Sequence, residues 1–133
     1  MSESTVSRPS LAERVRAVKA DGAVVGVHFL GATPVFVLGE EGLLFAGEGA
    51  ENHVAVHAGG ILASASDGAR ILTGGDDGEL MVTGADGVTA KLASDGKKRW
   101  IDQVALGPDG AVAWSAGKIA HVLTRKGEER TYE

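Results

Sequence analysis

The chain has 133 residues, 44% of them hydrophobic, no cysteine, and a net charge of −5 with a pI near 5.3. That is the size of one domain able to bury a core. The missing cysteines exclude disulfides, thiolate catalysis and cysteine-based zinc sites, and the acidic balance argues against a nucleic-acid or anionic-membrane surface.

Residues 1–9 are polar. Ser10 and Glu13 then form a capping-box pattern, in which the hydroxyl and the carboxylate satisfy each other's backbone amides. This predicts a short helix at 10–14, with a closing strand through Arg14–Lys19 as the competing reading. Residues 1–22 together read as a tail that closes the domain. From Ala23 onward the chain is a succession of short β candidates separated by turn signals. The first six are Ala23–Leu30, Val35–Leu38, Leu43–Ala46, His53–His57, Ile61–Ala65 and Ala69–Thr73. The next six are Leu80–Thr83, Thr89–Ala93, Trp100–Leu106, Ala111–Ser115, Lys118–Thr124 and Arg130–Glu133. Glycine, at 20 residues, stands at about twice its usual ~7% share and punctuates the turns. No apolar run approaches the ~18–20 residues of a membrane-spanning helix. The N-terminus lacks the basic-then-apolar design of a signal peptide, which predicts a soluble, cytoplasmic protein with no membrane partner.

The β candidates repeat. The glycines before the third strand of each group are Gly42, Gly78 and Gly117, spaced 36 and 39 residues apart. Four strands per ~40 residues is the signature of propeller blades, because one four-stranded sheet cannot cover both of its faces and stacks on the next. The predicted fold is therefore all-β, a β-propeller of about three four-stranded antiparallel blades at 23–57, 58–94 and 95–133. Closed propellers take about four to eight blades. Three predict either part of a larger ring or a ring completed by a second chain or by self-association.

The best-preserved unit is A-R-I-L-T-G-G-D-D-G-E-L-M-V-T-G at Ala69–Gly84, a hairpin turning at Asp77-Gly78, where a left-handed backbone is expected. This hairpin resembles the core of a WD-repeat blade. Thr73 matches that family's hydroxyl residue on the second strand, Asp77-Gly78 its turn, and His57 ahead of Gly59-Gly60 its Gly-His histidine. Thr83 and Gly84 stand where the family has Trp-Asp, and Glu41 and Ala116 take the Asp place in the outer units. The resemblance implies that His57, Thr73 and Asp77 form a buried hydrogen-bonded structural network. It also implies a rigid, non-catalytic scaffold that binds a protein partner on its loop-rich faces, without cofactor.

Other chemistry competes with plainer readings. Asp76, Asp77 and Glu79 offer carboxylates for calcium, but neither the EF-hand spacing nor a nonapeptide tandem is present. A turn with a structural Asp is the expectation, and no metal site is predicted. His53 and His57, four apart, would share one strand face. No G-x-S-x-G elbow or P-loop occurs, and no nucleic-acid partner is expected. The run K-K-R-W at 97–100 puts cations beside an aromatic. Arg70, Arg99 and Trp100 are the predicted partner-binding residues, since Trp and Arg carry much interface energy, while Trp114 is expected to pack between blades. An enzyme with a central-channel site would use His28, Asp102 and Gln103. A third reading is a structural blade module completed by another chain.

Overall fold

A computed structural model describes residues 15–133, so the Ser10–Glu13 capping box and the helix at 10–14 lie outside the described residues. Residues 15–22 carry no regular secondary structure. The described residues then form twelve strands. The first sheet is β1 (Val24–Leu30), β2 (Thr33–Leu38), β3 (Gly42–Gly47) and β4 (Ala50–Ala55). The second is β5 (Ile61–Ser66), β6 (Arg70–Gly75), β7 (Glu79–Gly84) and β8 (Thr89–Ser94). The third is β9 (Gln103–Leu106), β10 (Val112–Ala116), β11 (Ile119–Leu123) and β12 (Glu129–Tyr132), with a 3-10 turn at Pro108–Gly110. Each sheet is an antiparallel meander in chain order. Among the described residues no helix is long and apolar enough to cross a membrane.

Three differences from the sequence reading have a local reason. The stretch G-E-G-A-E-N, expected as a loop, is a tight hairpin: Gly49 takes φ +70°, Gly47 pairs with Ala50, and β4 starts there. Its polar residues fit an edge strand that faces water. The ninth strand begins at Gln103 rather than Trp100, because Ile101 turns inward and its N–H donates to the Gly75 carbonyl at 3.1 Å. At the central hairpin only Gly78 is left-handed (φ +76°), and its N–H donates to the Gly75 carbonyl at 3.2 Å. Asp76 and Asp77 are thus the middle of an ordinary turn and the glycine forms the bulge after it. Gly78 also packs tightly, since a Cβ there would sit 2.7 Å from the Cα of Lys98.

The period-2 alternation of the strands explains the stacking. Along β6, Ile71 joins Leu30, Val35, Val37, Leu43, Phe45, Val56 and Ile61 in a core between the first and second sheets. Its neighbour Leu72 points the other way and joins Leu80, Ile101, Val112, Trp114 and Ala116 between the second and third. Ile71 and Leu72 are both fully buried, which is worth roughly 1.5–3 kcal/mol each in area terms. The middle sheet is thereby packed on both faces, with β1, β5 and β9 as adjacent inner strands.

Candidate functional site

Two polar constellations stand out. The first joins the first and second sheets. The Val56 and His57 amides both donate to the Glu41 carbonyl, at 2.8 and 2.9 Å, which draws the segment after β4 inward. The His57 ring is thereby buried; its Nδ1 lies 3.0 Å from both Asp77 carboxylate oxygens and its Nε2 lies 2.8 Å from Thr73 Oγ1. A carboxylate only accepts, so Nδ1 carries the proton toward Asp77, and in the neutral ring Nε2 accepts from the Thr73 hydroxyl. Asp77 also accepts from the backbone amides of Ala58 (3.1 Å) and Glu79 (3.0 Å). Burial alone would raise the Asp77 carboxyl, but the bonds from His57, Glu79 and Ala58 outweigh it and hold it below the usual range.

Gly75 makes this approach feasible, because a Cβ there would lie 2.5 Å from His57 Nδ1. The second glycine of the G-G-D-D-G run is the signal for it. The preceding Asp76 is occupied elsewhere: its carboxylate accepts from Gly60 N–H at 2.8 Å, while Asp76 N–H donates to the Gly60 carbonyl at 2.9 Å. Glu79 pairs with Lys91 at 3.0 Å. The three acidic side chains of the turn thus serve three different partners rather than one cation. His53 lies exposed in β4 while His57 lies beyond its end, so the two do not form a pair on one strand face.

The second constellation is at the rim. Asp95 accepts from the backbone amides of Lys97 (3.1 Å) and Arg99 (2.8 Å), and from the Arg99 guanidinium at 2.9 Å. The Arg99 guanidinium first, and then its backbone amide, hold the Asp95 carboxyl down at about 2. This folds K-K-R-W into a turn with Lys98 left-handed (φ +55°), and it leaves Trp100 61% exposed. The Trp100 carbonyl accepts from Gly117 N–H at 3.4 Å. Arg70 is elsewhere: it opens β6 at the opposite end, paired with Asp67 at 3.2 Å beside Gly110. It borders a cleft of about 480 Å³ that also includes Leu92, Val112, Leu123 and Arg125. Arg99 and Trp100 are therefore adjacent, and Arg70 is not with them. Trp114 is buried and stacked on His121, with ring centroids 5.1 Å apart.

The inner strands hold a pair that the sequence did not signal. His28 Nε2 and Ser64 Oγ meet at 2.8 Å across β1 and β5, and burial lowers the His28 pKa. Residues 36 apart in sequence are joined here by the stacking of two sheets. Asp102 accepts instead from the Ser115 hydroxyl at 3.4 Å, and Gln103 sits opposite Ser115 in the third sheet. His28 and Asp102 therefore bond to different serines, Ser64 in the second sheet and Ser115 in the third.

No family model matches this chain, and no curated protein matches it. Among solved structures it is similar to the selenomethionine-substituted virginiamycin B lyase from Staphylococcus aureus, with a TM-score of 0.67 at 12% identity. The match covers 86% of this chain and 42% of that one, so the chain spans less than half that protein's length. That neighbour is a β-propeller, and the present chain is an all-β array of three propeller blades.

Proposed function

We propose that the chain is a non-catalytic cytoplasmic scaffold whose rim between the second and third sheets docks a protein partner, as the WD-repeat proteins that its central hairpin resembles do. The observation that carries this is Trp100. A large aromatic stands mostly exposed beside a guanidinium that Asp95 already holds in place. Fixed aromatic and Arg side chains lose little freedom on binding and dominate interface energetics. Peptide display against the folded chain tests this. Enriched peptides are expected to lose ~100-fold affinity to Trp100→Ala and none to Tyr132→Ala. Failure to enrich any peptide, or indifference to Trp100→Ala, refutes it.

A second reading rests on the His28–Ser64 bond at 2.8 Å. A histidine in contact with a serine hydroxyl, its pKa lowered by burial, is the pairing found where a base activates a nucleophile. Turnover by the purified chain in a hydrolase and lyase panel, abolished by Ser64→Ala, would favour an enzyme at the inner strands.

A further inference from the structure

The first sheet is apolar on both faces. One face builds the core with the second sheet. On the other, the register sets Val27 opposite Phe36 and Phe36 opposite Leu44. A sheet with two apolar faces is suited to lie between two others. The middle of this second face, over β2 and β3, is closed. Residues 15–22 cross it from one rim, where Arg16 donates to the Ala46 and Gly47 carbonyls at 3.2 and 3.3 Å, to the other, where Gly22 lies against Leu38. Leu38, Leu44 and Ala46 are buried there. Among the described residues nothing covers β1: Val25, Val27 and Phe29 are 56%, 49% and 58% exposed. A contiguous apolar strip of this kind marks an association surface.

We propose that this strip seats the third sheet of a second copy of this chain, so that two copies joined head to tail close one ring of six blades. The inference is independent of the Trp100 rim. Three observations select this occupant. The far face of the third sheet presents Ala105 opposite Ala113 and Ala113 opposite Val122, a small, shallow row that accepts protruding Val27 and Phe29 side chains. Charge differs in sign: residues 15–57 carry two basic residues, Arg16 and Lys19, against five acidic ones, whereas residues 95–133 carry seven basic residues against six acidic ones. Ring size agrees as well. Two copies give six blades, within the roughly four to eight that close, and three copies exceed it. Head-to-tail contacts form rings when the rotation closes, and a two-fold ring satisfies both open faces at once.

The test is light scattering on the chain of residues 1–133 over a concentration series. A mass of twice 13.6 kDa is expected for the dimer. Phe29→Glu and Ala105→Glu lie on opposite faces, and both positions are exposed in the single chain, so each variant is expected to keep its far-UV circular dichroism. Each is also expected to weaken association by ~100-fold, because a charge is forced into an apolar contact. Mixing the two variants leaves one intact junction, Phe29 of one chain against Ala105 of the other, and partial association returns. A wild-type monomer at about 100 μM overturns the proposal and leaves the strip to another chain. A dimer that tolerates Ala105→Glu also overturns it, because it would mean that two β1 strips face each other.

Discussion

Asp77→Ala removes a carboxylate that accepts from His57 Nδ1, Ala58 N–H and Glu79 N–H, all at 3.0–3.1 Å. His57 is buried, so its Nδ1–H is left without a partner, at a cost of about 1–3 kcal/mol. The two backbone amides are partly exposed and recover water, adding about 1 kcal/mol between them. The expected loss is about 3 kcal/mol, or roughly 10 °C in Tm for a domain of this size. Thr73→Val, at a fully buried position, removes the hydroxyl that meets His57 Nε2 at 2.8 Å. Both losses act through one imidazole, so a double-mutant cycle with Asp77→Asn by urea denaturation is expected to show coupling of about 1 kcal/mol. The pH dependence has a definite sign. A carboxyl lowered in the folded state adds stability above its ordinary range near 3.8, and that stability is lost as pH falls through the folded value. Additive single mutants, or an Asp77→Ala Tm within about 2 °C of wild type, would refute the reasoning that these three side chains act as one unit.

Gly78→Ala combines a left-handed backbone (φ +76°) with a 2.7 Å approach to Lys98, and it is expected to cost about 2–4 kcal/mol by chemical denaturation. Gly127→Ala, at φ +83° with open space around it, is expected to cost only about 1 kcal/mol. The Asp95 carboxyl is expected to titrate near 2 by NMR and to return toward its ordinary 3.8 in Arg99→Gln. Stability linked to it is present above pH 3.8 and disappears as pH falls toward 2, so an acid melt of Asp95→Ala should be flatter in that window. Ile101→Ala empties a fully buried position between the second and third sheets and should lose about 2–5 kcal/mol in thermal melts.

What was legible in the sequence was local. The turn glycines Gly78 and Gly117, at φ +76° and +62°, mark positions where short-range chemistry dictates the chain path, whereas Gly42 opens β3 against the Val54 carbonyl; their spacing points to three four-stranded units at nearly the right boundaries. The A-E-N stretch after Gly49 reads as a loop because an edge strand tolerates polar residues. Trp100 and Ile101 read as the start of a strand because an apolar pair looks the same there as in a linker whose isoleucine plugs a core.

Contacts between units were a different matter. His57, Thr73 and Asp77 could be grouped only through resemblance to a repeat family; their bond distances come from the stacking of the first sheet on the second. The pairing of His28 with Ser64, the separation of Arg70 from Arg99 and Trp100, and the exposed strip on β1 have no signature in the chain order. The sequence by itself determined the strands, their turns and their repetition, because hydrogen-bonded hairpins are set by neighbours a few residues apart. Tertiary structure decided which side chains meet and which face stays open, because sheet-on-sheet packing joins residues from separate repeats whose spacing no local rule encodes.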